Sequence, residues 1–151
     1  MEGEVKTIQC LGWREWVSLE ALGVTQLKAK IDTGARTSAL HAHYLESFRK
    51  EGRDMVRFGI HPIQKRTDLS VDCEAPVHDQ RYVTDSGGHR EMRYVIVTPV
   101  TLGNTTWDIE LTLTNRDTMR FRMLLGRTAL QGHFLVDPSS SYLVGTRDQK
   151  R

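Results

Sequence analysis

An all-β chain with one or two short helices, closed or strongly curved on itself, is the fold class this sequence predicts. Three observations carry the prediction. Apolar residues recur at every second position in short runs, of which "WDIELTLT" at 107–114 is the cleanest. Gly, Asn and Pro punctuate these runs, as in "SGG" and "LGN". No helical period is sustained over a long window. A closed or strongly curved sheet is the natural way for many short strands to bury one core.

The elements follow in order. "TIQCLGWREWVSL" predicts two short strands about a turn at Gly12, and "GVTQLKAKID" predicts a strand that ends at Asp32. In "TSALHAHYLESFRKEG", Leu40, Tyr44 and Phe48 recur four apart, which predicts a helical turn or a strand followed by a helix. Residues 50–70 are polar, are broken at "GIHP", and read as a long loop or insertion. "VDCEAPVHD" predicts a strand ended by Pro76. Two β-branched runs come next. In the first, Met92, Tyr94 and Ile96 alternate with Arg93, Val95 and Val97. In the second, Trp107, Ile109, Leu111 and Leu113 face inward, and Asp108, Glu110, Thr112 and Thr114 face water. "RFRMLLG" predicts a strand, and "LVDPSSSYLVG" a turn and then a last strand.

At 151 residues the chain predicts a single domain over 1–151, long enough to bury a core without disulfides. Cys10 and Cys73 stand too far apart for a metal knuckle and read as reduced structural residues. No run reaches membrane-spanning length, and "MEGEVKTIQC" lacks a basic-then-apolar leader, so the expected location is cytoplasmic, with no membrane partner. A net charge of +2 does not announce nucleic-acid binding. Charge is nevertheless uneven: Arg81, Arg90, Arg93, Arg116, Arg120, Arg122 and Arg127 form either a solvated face or a surface for an acidic partner.

The stretch "KIDTGARTSAL" places a carboxylate at the mouth of a tight loop. Gly34 allows backbone conformations closed to other residues and lets another chain approach. Thr33 can hydrogen-bond to a neighbouring loop. One such Asp is a poor hydrolase, whereas two facing each other cannot both ionise and so share a proton. One then activates water while the other donates to a carbonyl. With one Asp-Thr-Gly per chain, a two-fold homodimer supplies the second.

"KIDTGARTSAL" together with "MLLGRTAL" resembles the retropepsin family of aspartic proteases. The longer form, ending in "FLVDPSSSYLVG", is similar to bacterial retropepsin-like proteins described as ATP-dependent zinc proteases. Some of these are encoded with an ATP-grasp ligase that adds glutamates to the C-terminus of a small-subunit ribosomal protein. The resemblance covers roughly residues 20–145. It implies an acid-protease β-barrel and a peptidase that trims the glutamate tail, with the glutamylated ribosomal protein as substrate and the ligase as a further partner. It makes Asp32 the catalytic carboxylate, Thr33 the brace between two active-site loops, and Gly34 and Ala35 the completion of the loop. Leu124, Leu125 and Gly126 become the segment packed beneath it. The alternative is a non-catalytic binding module of the same fold that docks to the ligase.

The sequence departs from the viral pattern in two ways. Arg36 stands where those enzymes often carry an Asp that pairs with the Arg after the second Gly, so Arg36 and Arg127 cannot form that ion pair. They are candidates for holding an acidic substrate, with neutralisation by Asp117, Asp137 or another internal carboxylate as the alternative. The separation of Asp32 from Gly126 is also long, which leaves the flap uncertain in position; Ser86-Gly87-Gly88 is a candidate for it. His41 lies close to the motif and is a candidate for lining the cleft. The chain contains no His-Glu-x-x-His and no Gly-Lys-Ser/Thr loop, so neither a metal nor ATP is expected as a cofactor.

Overall fold

Alternation at period two builds nearly all of the computed structural model, which describes residues 8–63, 68–84, 87–115 and 120–144. The strands are β1 (Gln9–Leu11), β2 (Arg14–Leu19), β3 (Val24–Asp32), β4 (Ser38–His41), β5 (Tyr44–Lys50) and β6 (Arg53–Ile60). They continue with β7 (Val71–Pro76), β8 (Asp79–Thr84), β9 (Arg90–Leu102), β10 (Thr105–Thr114), β11 (Met123–Gly126) and β12 (Phe134–Val136). A 3-10 turn spans Glu20–Leu22, and one helical turn, α1, spans Arg127–Leu130.

Six strands close a barrel in the order β10-β4-β11-β3-β2-β9, with β9 pairing back onto β10. The all-β barrel expected from the sequence is therefore the observed fold. Inward positions carry Leu27, Leu40, Ile96, Leu111, Met123 and Leu125, all fully buried. Strand β9 is 13 residues long and outruns the barrel. Its first half pairs with β8 and its second half with β10, so the β8–β9 hairpin projects from the wall.

Three expectations need correcting. No helix follows His41: β5 and β6 form a hairpin instead, and β7 completes a three-stranded sheet. A spacing of four places Leu40, Tyr44 and Phe48 on one face of a strand as well as of a helix, so it could not choose between them. Residues 50–70 are not simply a loop, because Val56, Phe58 and Ile60 alternate into the core at full burial. The hairpin turns at Glu51 and Gly52, both with positive φ (52° and 78°), between the paired Lys50 and Arg53. Finally, the last strand precedes the "DPSSS" turn instead of following it.

Residues 139–144 form a strap held by another device. Glu15, an inward residue of β2 with no exposed surface, accepts hydrogen bonds from the Gly12, Leu143 and Val144 N–H groups at 2.7, 2.9 and 3.1 Å. The Trp13 N–H donates to the Ser140 carbonyl at 2.7 Å, and the Tyr142 N–H to the Arg14 carbonyl at 2.9 Å. A buried carboxylate with several N–H donors replaces a strand ladder here.

Candidate active site

Asp32 is the last residue of β3, and Gly126 is the last of β11; the two are partners in parallel register. Each strand therefore delivers its motif to the same end of the barrel. The loop after Asp32 then crosses directly over Gly126. A Cβ on Gly126 would stand 2.6 Å from the Thr37 carbonyl carbon and oxygen and 2.9 Å from the Ala35 oxygen, so only glycine fits. The residues after Gly126 grip the loop. Arg127 N–H donates to the Ala35 carbonyl (2.7 Å), Thr128 N–H and hydroxyl both donate to the Arg36 carbonyl (3.1 and 2.9 Å), and Gly126 N–H donates to Ser38 Oγ (3.0 Å). The two motifs are halves of one site.

Within the loop, Asp32 Oδ1 accepts the Gly34 and Ala35 N–H groups at 3.0 and 3.2 Å. Among the described residues no hydrogen bond occupies Oδ2. The side chain is half-buried, one oxygen fixed and the other presented. Gly34 serves a different purpose from the one expected. Its φ is not positive; a Cβ there would lie 3.3 Å from Asp32 Oδ1, so its smallness keeps the N–H close to the carboxylate.

Asp32, Gly34, Ala35 and Arg36 line one cleft of about 1300 Å³, with Leu124 beside them. Thr33 is exposed at the loop tip, and its carbonyl accepts Arg127 Nη1 at 3.2 Å. Arg127 and His41 are not among the lining residues. His41 is only 4% exposed and is tied through its N–H to the Arg122 carbonyl at 2.8 Å, which places it inside the wall. Of the carboxylates considered for neutralising the arginines, Asp117 lies outside the described residues. Asp137 caps its own turn: the Ser139 hydroxyl and N–H and the Ser140 hydroxyl hold it below the usual carboxylate range.

The far wall contains residues the motif search passed over. Arg81, Tyr82, Val83 and Thr84 of β8 and Arg93 of β9 line the same cleft as Asp32, so the β8–β9 hairpin forms part of its wall. Gly88, at φ 87°, turns that hairpin; Ser86 of the flap candidate lies outside the described residues. Arg81 is clamped by Asp79 and Glu110, each at 2.7 Å, and its hydrogen bonds hold both carboxyls below their usual range. Arg81 is thus paired internally, a feature that sequence spacing could not reveal. Trp107 and His133 stack at 5.2 Å on the remaining side, where Trp107 Nε1 donates to the Ala129 carbonyl at 3.0 Å.

Among the described residues, no three of His, Cys, Asp and Glu gather as a metal ion would need, and no helix is long and apolar enough to cross a membrane. Cys73 is buried, and burial pushes its thiol up to about 11; Cys10 is exposed.

Known proteins are similar to this chain in sequence and in fold. A protein named "Probable alpha-L-glutamate ligase" from Shewanella pealeana is 47% identical over 137 residues. A protein of the same name from Desulfotalea psychrophila is 43% identical over 135 residues. The matches cover 91% and 89% of this chain but only 30% and 29% of those proteins, so the chain spans about a third of their length. The crystal structure of Lpg0085 from Legionella pneumophila, a protein of unknown function, superposes with a TM-score of 0.75 at 25% identity, covering 91% of this chain and 98% of that one. A family model described as "Retropepsin-like aspartic endopeptidase RimB" matches residues 10–147. With Asp32 on its braced loop and Gly126 beneath it, the chain belongs to the RimB-like family of retropepsin-like aspartic endopeptidases.

Proposed function

We propose that this chain is an aspartic peptidase that acts as a homodimer and removes glutamates from the C-terminal tail of a glutamylated ribosomal protein. The observation that carries the reading is the state of Asp32. One carboxylate oxygen is fixed by two N–H groups, and the other has no hydrogen-bond partner among the described residues and belongs to a residue lining a cleft of about 1300 Å³. One carboxylate cannot serve as base and acid at once, so a second copy supplies the other. The two Asp32 side chains share one proton. The ionised member takes a proton from water, and the oxygen of that water attacks the peptide carbonyl carbon. The protonated member gives its proton to the carbonyl oxygen, forming a neutral gem-diol. Collapse of this intermediate breaks the C–N bond, and the amine leaves with a proton returned from the dyad. In this reading Thr33, which is exposed at the loop tip, braces the second copy's loop.

The glutamate tail rests on the resemblance, on Arg36 at the cleft, and on relatives whose name is glutamate ligase. That last observation also favours a second reading, a module of the same fold that docks to the ligase without catalysis. Incubating the protein with a peptide ending in several glutamates, and following its mass, separates the two. Loss of glutamates with wild type and not with Asp32→Asn is the expected result. Cleavage by both would sink the aspartic mechanism, and cleavage by neither would favour the docking module.

A further inference from the structure

Arg93 is 7% exposed, yet it lines the same cleft as Asp32. Its side chain is poorly satisfied. Nη1 lies 3.4 Å from Thr112 Oγ1, Nη2 lies 3.4 Å from Glu91 Oε1, and among the described residues Nε has no partner at all. Glu91 is the nearest compensation, but its carboxylate also accepts the Thr114 hydroxyl at 3.3–3.4 Å, and the side chain is 39% exposed. A guanidinium removed from water and left with long contacts is costly unless an anion reaches it.

The neighbour across the hairpin sharpens the point. Arg81 stands directly opposite Arg93 in the β8–β9 register. Like charges at that position repel. Arg81 is neutralised by two carboxylates at 2.7 Å, whereas among the described residues Arg93 has no comparable partner. One wall of the cleft therefore carries a saturated arginine and an unsaturated one.

We infer that Arg93 is a specificity-determining residue of the cleft, and that its Nε–H and Nη groups receive a side-chain carboxylate of the bound peptide. The inference rests on the peptidase reading of the cleft and deepens it. In the closed barrel, β9 lies two strands from β3 through β2 and four the other way, through β11, β4 and β10. Strand spacings of roughly 4.8 Å make these paths about 10 and 20 Å along the wall, the reach of about three to six extended residues. Arg93 and Asp32 line the same cleft from different strands, and the role inferred for Arg93 is to select substrate without taking part in bond breaking. The planar fork of arginine suits a carboxylate better than a point charge does.

The test uses the full chain carrying Asp32→Asn. Amidated tetraglutamate, and amidated tetraglutamine as control, are titrated in at low salt while the arginine Nε–H resonances, assigned through the backbone, are followed by NMR. The Arg93 Nε–H is expected to shift with the glutamate peptide and stay still with the glutamine one. Arg93→Lys should weaken the glutamate peptide at least tenfold. A resonance unmoved up to millimolar tetraglutamate, or one that moves equally with tetraglutamine, overturns the inference. Turnover is read separately. An unmoved resonance in a protein whose turnover depends on Asp32 would overturn this inference alone. A resonance that moves in a protein that cleaves nothing would overturn the peptidase reading alone.

Discussion

Glu15 and Asp32 are both carboxylates held by backbone N–H groups, and they are held for opposite ends. Glu15 has no exposed surface, and both its oxygens are engaged, Oε2 by Gly12 and Leu143 and Oε1 by Val144. Asp32 is half-buried, with Oδ1 engaged by Gly34 and Ala35 and Oδ2 left for the cleft. Saturating both oxygens makes a carboxylate a structural rivet. Saturating one orients the group and keeps a lone pair for chemistry. The difference lies in what covers each residue: a strap of the chain itself covers Glu15, and an open cleft faces Asp32.

The comparison can be broken from either side. The largest effect is expected at Asp32, where Asn keeps the acceptor for Gly34 and Ala35 but cannot act as base. Peptide turnover should fall about a thousandfold while the urea midpoint moves little, and kinetics with parallel denaturation checks both. Glu15→Ala should do the reverse. It strips the partners from three N–H groups, two of them on the strap, and should cost about 3 kcal/mol in urea unfolding. Limited proteolysis should then cut within 139–144, and a strap that stays protected would refute the rivet. Gly126→Ala sits between these cases. Its methyl meets backbone on the Asp32 loop, which should cost roughly 1–3 kcal/mol and lower turnover together, read by melting and by kcat.

The smallest effect belongs to a third kind of carboxylate, the exposed clamp of Asp79 and Glu110 on Arg81. Hydrogen bonds from Arg81 depress both carboxyls. A depressed carboxyl stabilises the fold fully above its unfolded value and loses that contribution as pH falls through its folded one. Amide exchange along β8, corrected for intrinsic rates, should therefore hold from pH 7 to about 5 and loosen only below the ordinary carboxylate range. Loosening near neutrality would show that the clamp does not hold the hairpin.

How far the sequence could be read follows the same division. Asp32 and Gly126 were legible because each lies in a contiguous motif whose neighbours share its task. Glu15 was not, since "REW" looks like any polar step in a strand, and its burial comes from residues far along the chain. Thr112 and Thr114 were expected to face water, but are at most 1% exposed, because their outward side forms the floor beneath Glu91 and Arg93. One signal did exist. Alternation puts Arg93 on the face shared by Val95 and Val97, and an arginine in an apolar row announces an unusual partner. The missed β6 strand had its signal too, in the spacing of Val56, Phe58 and Ile60.

The strap also bears on how the molecule comes into being. Glu15 is made well over a hundred residues before its partners Leu143 and Val144. The barrel closes in the same non-local manner, since β3 must wait for β11 and β4 for β10. Contacts of this reach are entropically expensive to form and come late in folding. The cleft is therefore assembled only when almost the whole stretch from β3 to β11 is available.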